Sequence, residues 1–126
     1  MRVVDTSTWI EWIGDGSMAD AVSPHMPHPE DWVVPTIVLL EMMKVLRRQS
    51  ELEIIKQIKT LVETCILAPL DAEIAHLAAE ISVKHKLATA DAIIYATALH
   101  YGADLLTCDA HFKGLEGVIY IAKLSQ

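Results

Sequence analysis

Short β-branched runs alternate with helix-patterned segments along the whole chain, and this alternation constrains the fold more than any other feature. Arg2 to Asp5, Trp32 to Pro35, Ile66 to Ala68, Asp104 to Thr107 and Val118 to Ile121 read as strands. Thr6 to Ile13 reads as a helix closed by Gly14, Ser17 to Val22 as a second, and Thr36 to about Gln49 as a third. Pro24 to Asp31 holds three prolines and reads as a loop. Ser50 with Glu53 forms a capping box that opens a helix through about Thr64, with Ile54, Ile55, Ile58, Leu61 and Val62 as its buried stripe. Asp71 caps a helix that faces Ile74, Leu77, Ala78 and Ile81 inward, and the last helix runs from about Thr89 to His100, stopped by Gly102. Strands separated by helices are joined by crossovers and not hairpins, so they run parallel, with helices on both faces. The expected fold is α/β, a three-layer α/β/α arrangement around a central parallel sheet of about five strands. No repeat, low-complexity tract or linker divides residues 1–126, which read as a single domain.

Composition excludes several alternatives. At 126 residues and 52% apolar, the chain buries roughly two-thirds of its unfolded surface and suits a sheet covered on both sides. Its longest apolar stretches, such as Ile37 to Leu40, are far too short to span a membrane. An acid at position 5 interrupts the apolar run that a signal peptide needs, and two cysteines, Cys65 and Cys108, are too few for a disulfide framework or a zinc finger. A cytoplasmic location is expected. The net charge of −7 argues against broad, non-specific clamping onto nucleic acid, but not against an enzyme that reaches phosphates through bound cations.

Four carboxylates stand where local structure does not ask for them. Asp5 and Asp109 fall at the carboxyl ends of the first and fourth strands, the edge where open α/β sheets bind ligands. Glu41 interrupts the apolar run Ile37-Val38-Leu39-Leu40 and Met42-Met43, and Asp91 begins another largely apolar helix. An unpaired ionised carboxylate in such surroundings costs several kcal/mol, and few of the ten Lys and Arg residues lie near these acids in sequence. A hard divalent cation, Mg²⁺ or Mn²⁺, explains all four together. Each also has a plainer explanation. Asp5 would accept hydrogen bonds from the following turn, Asp91 would favour the positive end of its helix, Glu41 would pair with Lys44, and Asp109 would cap the segment after it.

At these residues the sequence resembles the PIN-domain ribonucleases, and most closely the VapC-type toxins of prokaryotic toxin–antitoxin pairs. Val4-Asp5-Thr6-Ser7 is similar to the family's opening strand and first acid, and Val34-Pro35-Thr36 through Leu40-Glu41 to the strand, helix and Glu that follow. Thr89-Ala90-Asp91-Ala92-Ile93-Ile94 is similar to its Asp-Ala helix start, and Leu105-Leu106-Thr107-Cys108-Asp109 through Phe112 to its Thr-x-Asp segment. The Pro/His-rich stretch Pro24 to Pro29 departs from the pattern and is expected to alter the rim of the site. The resemblance implies endonucleolytic cleavage of RNA, with one or two Mg²⁺ or Mn²⁺ held by Asp5, Glu41, Asp91 and Asp109, directly or through waters. It gives Thr6 and Thr107 the task of orienting carboxylates or a water. It further implies a homodimer and a VapB-like antitoxin. Helices Thr36 to Gln49 and Ser50 to Thr64 carry apolar surface in excess of what the sheet needs, consistent with the first, and an acidic groove suits entry of an Arg from the second.

Other residues have weaker claims. Lys44, Arg47 and Arg48, and Lys84, His85 and Lys86, would line a phosphate path or simply solvate helix ends. His25, His28 and His111 read as surface residues and Cys108 as a buried thiol, while Trp9, Trp12 and Phe112 suit either base stacking or packing. A haloacid-dehalogenase-type phosphotransferase would need an acid where Ser7 stands, and a receiver domain would need paired acids at the first strand. The remaining alternative is a catalytically silent module of the same fold that binds RNA or a protein.

Overall fold

The computed structural model describes residues 1–14 and 16–123. Five parallel strands, β1 (Arg2–Val4), β2 (Trp32–Pro35), β3 (Ile66–Ala68), β4 (Asp104–Thr107) and β5 (Val118–Tyr120), form one sheet in the order β3-β2-β1-β4-β5. Helices α1 (Thr6–Ile13), α2 (Ser17–Val22), α3 (Thr36–Arg48), α4 (Leu52–Glu63), α5 (Ala72–His85) and α6 (Thr89–His100) complete the three-layer α/β/α arrangement. From β1 the chain builds outward to β2 and β3, then returns to the other side of β1 to lay down β4 and β5. The reversal falls between β1 and β4, where Val3 pairs with Leu105 and Val4 with Leu106. The strand ends diverging there leave a crevice at the carboxyl edge. Among the described residues no helix is long and apolar enough to cross a membrane.

The inner strands are buried nearly throughout, as Val3, Val4, Val33, Val34, Leu105 and Leu106 illustrate. Trp9 of α1 packs fully buried on Trp32 of β2, with ring centroids 4.5 Å apart, and Trp12 meets both edge-on. Trp9 and Phe112 are fully buried packing residues and so are not exposed to stack on bases, while Trp12 is half-buried. Cys108 is buried, and His25 and His28 are exposed. On α5, Asp71 caps through Ile74 N–H, and Ile74, Ala78 and Ile81 face the core with Leu77 half-buried.

Two expectations need correction. Pro24 to Asp31 is not wholly irregular, since Ser23–His25 and Pro29–Asp31 each form a 3-10 turn. Arg2 donates to the His25 carbonyl at 2.7 Å, which ties this stretch to the start of β1, opposite the edge where Asp5 lies. It therefore does not shape the rim of the site.

The Ser50/Glu53 capping box does not form either. Ser50 adopts φ 55° and ends α3: its N–H reaches the Arg47 carbonyl while Glu51 N–H reaches that of Leu46. This is a Schellman closure with serine in the left-handed position that favours glycine. The residue is spent on stopping one helix and cannot cap the next, which starts at Leu52. Ser50→Gly is expected to stabilise the protein by about 0.5–1 kcal/mol, relief of left-handed strain outweighing the added chain entropy. Chemical denaturation of the two proteins checks this.

Candidate active site

Asp5 follows β1 directly and caps α1, its Oδ1 accepting from Thr8 N–H at 3.0 Å. The same oxygen accepts from Thr8 Oγ1 at 2.6 Å, Oδ2 accepts from Thr107 Oγ1 at 2.7 Å, and Ser7 Oγ lies 3.0 Å from both. The carboxylate is only 3% exposed. Burial pushes its pKa above the ordinary value, against the opposing pull of hydrogen bonds from Thr8, Thr107 and Ser7. Asp5 is thus a cap and the centre of a buried hydroxyl network.

Thr107 links that network to the next strand. While its hydroxyl donates to Asp5, the same oxygen accepts from Asp109 N–H at 2.9 Å. Thr8 works similarly, donating to Asp5 and accepting from Cys108 N–H at 3.0 Å. The loop leaving β4 is therefore pinned to the carboxylate that follows β1. Asp109 then caps the turn Ala110–Phe112, its Oδ1 accepting from His111 N–H. Glu41, on α3, accepts from Thr6 Oγ1 at 2.7 Å; this, and not an ion pair with Lys44, is its contact.

Asp91 enters from the first turn of α6. Burial raises its pKa, and the charges of Asp109, Asp5 and Glu41 raise it further, with His111 opposing them. Asp91 therefore lies within electrostatic reach of the other three acids. The four are not equivalent. Ligand atoms of Asp91, Asp109 and His111 lie within 4.8 Å of one another, whereas Asp5 and Glu41 stand outside that group, held by hydroxyls. Among the described residues no Lys or Arg forms an ion pair with any of the four. A cluster of carboxylates with no Lys or Arg paired to it fits a divalent cation.

Sequence reasoning missed three contributors. Ser7 and Thr8 complete the run Asp5-Thr6-Ser7-Thr8, and three hydroxyls directly after a capping acid were a usable signal. His111, read as a surface residue, is exposed but touches the site, with Nδ1 2.9 Å from Asp109 Oδ1. Its spacing of two residues from Asp109 was visible, but the turn that folds the ring back was not. Of the basic candidates, His85 and Lys86 line a pocket of about 350 Å³ together with Asp91 and His111.

Comparison with known proteins bears on the fold. The fold is similar to a toxin–antitoxin complex from Klebsiella pneumoniae, at 22% identity over 94% of this chain and 96% of that one, with a TM-score of 0.78. It is also similar to FitAcB from Neisseria gonorrhoeae, at 19% identity over 96% and 97% of the two chains and a TM-score of 0.75. A third is VapC20 of Mycobacterium tuberculosis, a sarcin–ricin-loop-cleaving toxin, at 20% identity over 98% and 100% of the chains and a TM-score of 0.73. No curated protein sequence matches. At these identities the likeness is one of fold. The PIN domain family model, however, matches residues 2–118, nearly the whole chain. The chain belongs to the PIN domain family.

Proposed function

We propose that this chain is a divalent-metal-dependent endoribonuclease and the toxin of a toxin–antitoxin pair. The observation that carries the reading is the gathering of Asp5, Glu41, Asp91 and Asp109 at one sheet edge, with burial and mutual repulsion raising the Asp91 pKa. Repulsion of that kind is costly unless a cation occupies the site. Asp91 and Asp109 would hold Mg²⁺ or Mn²⁺ directly, with Asp5 and Glu41 acting directly or through water. When bound, the cation supplies a lowered pKa for water and stabilises charge on phosphate oxygens. The chain's residues position the rest. Thr107 fixes Asp5 against the Asp109 loop, Thr6 aims Glu41, and the pocket carrying His85 and Lys86 beside Asp91 would receive a phosphate of the RNA strand.

The solved structures of like fold include toxins in complex with antitoxins. A VapB-like antitoxin is the partner proposed here, and RNA in the cytoplasm the substrate. An antitoxin Arg would compete with the cation for the carboxylates, and Leu40, 55% exposed next to Glu41, offers an apolar contact beside them. A homodimer is also proposed. Besides the apolar residues that α3 and α4 expose, Leu40 and Leu52, an apolar groove of about 490 Å³ between α5 and α6, lined by Leu70, Ala79, Val83 and Ile93, would offer a surface for it.

The test is incubation of the purified chain with RNA in Mg²⁺, Mn²⁺ or EDTA. Cleavage within the strand is expected with either metal, stopping in EDTA and returning when Mn²⁺ is restored. RNA binding without cleavage under every metal condition would instead favour the silent binding module. Full cleavage in a metal-free preparation would contradict the mechanism.

A further inference from the structure

Resting on the reading of the acids as a cation site, we propose that His111 is itself a metal ligand and makes the site prefer Mn²⁺ to Mg²⁺. The Asp91 and Asp109 carboxylates and a ring nitrogen of His111 lie within 4.8 Å of one another. Two ligands at right angles on bonds of about 2.1 Å stand about 3 Å apart, and two opposite ligands about 4.2 Å apart. A spread of up to 4.8 Å is slightly wider than that shell, so a small side-chain movement would close the group round one ion. His111 Nδ1 and Asp109 Oδ1, 2.9 Å apart, match an adjacent pair.

The local backbone brings His111 to this position. Asp109 caps the turn Ala110–Phe112 by accepting from His111 N–H at 2.9 Å, and Phe112, fully buried, anchors the turn's far end. The imidazole is thus carried back over the carboxylate by a turn pinned on both sides. Asp91 reaches the same point from α6, so the donors come from two separate elements. The side chain of His111 is 77% exposed, so nothing in the core depends on it and it pays little desolvation to meet an ion. The one other His–acid contact among the described residues, His100 with Glu73 at 3.7 Å, is an isolated surface pair.

A nitrogen donor changes which ion the site favours. Mg²⁺ takes hard oxygens and keeps its waters, whereas first-row divalent ions accept an imidazole nitrogen, Mn²⁺ least strongly of its row but more readily than Mg²⁺. Carboxylates alone discriminate weakly between the two ions. One added imidazole separates them.

The experiment titrates Mn²⁺ into the full chain by electron paramagnetic resonance, with Mg²⁺ measured by competition, for wild type, His111→Gln and Asp109→Asn. Thermal melts first establish that each variant folds. Wild-type protein is expected to bind Mn²⁺ with a ¹⁴N coupling in the pulsed spectrum. His111→Gln should lose that coupling and bind Mn²⁺ about tenfold more weakly, with Mg²⁺ affinity changed less than about twofold. A bound Mn²⁺ without nitrogen coupling, or equal loss of both metals in His111→Gln, would overturn the proposal and leave His111 as a hydrogen-bond partner of Asp109. Undiminished Mn²⁺ binding in Asp109→Asn, or no binding in wild type, would overturn the cation-site reading itself and the proposal with it.

Discussion

Replacing Asp91 by Asn is expected to lower RNA cleavage by on the order of 10³-fold while leaving the metal-free protein as stable as the wild type, or more so. Several kcal/mol of transition-state stabilisation depend on a correctly held cation, which corresponds to a loss of that size. Stability moves the other way because the Asp91 carboxylate is unwelcome in the empty site. Burial raises its pKa, and Asp109, Asp5 and Glu41 add to the shift. A carboxyl whose pKa is higher in the folded than in the unfolded chain stabilises the fold when protonated. That contribution is fully present below the ordinary carboxylate value and is lost as pH rises through the raised value. Without metal, Asp91 therefore favours the fold more in mild acid than at neutrality, and the Asp91→Asn substitution would remove that dependence. Initial cleavage rates, with melts in EDTA across that pH range, check both halves.

Asp5→Ala should behave differently, destroying cleavage and costing about 2 kcal/mol of stability. The substitution deletes the cap of α1 and strands the hydroxyls of Thr8 and Thr107, both buried, which now donate to the carboxylate. Loss of a cap costs about 1 kcal/mol, and buried donors left without partners cost about 1–3 kcal/mol. Release of a buried charge offsets part of this, since burial raises the Asp5 pKa. A melting temperature lower by roughly 8 °C is the expected net result for a domain of this size. A melt unchanged from wild type would show that the hydroxyl network contributes nothing, and would return Asp5 to the same class as Asp91.

This division among the acids was not legible in the sequence, although the acids were. Alternation of strands with helices was enough to give the parallel sheet, because a crossover is the favoured way to join such elements. Strand-end position picked out Asp5 and Asp109, and an acid inside an apolar helix picked out Glu41 and Asp91. Each of those signals is local. What a side chain meets across the sheet is not, so nothing in the spacing told that Thr107 would span 102 residues to Asp5. His111 was passed over for the same reason, since an exposed histidine after an acid is common and only the turn brings it back. Ser50 misled because serine before Glu53 fits a capping box on paper, while the Schellman closure of the preceding helix had already claimed its backbone.

The most direct measurement is anomalous diffraction at the manganese edge from crystals of the full chain soaked in Mn²⁺. An anomalous peak in contact with Asp91 and Asp109, at the edge that Asp5 and Glu41 border, is the predicted result. A clean map at that edge under saturating Mn²⁺, with the four carboxylates ordered as they are without metal, would contradict the assignment of these acids as a cation site.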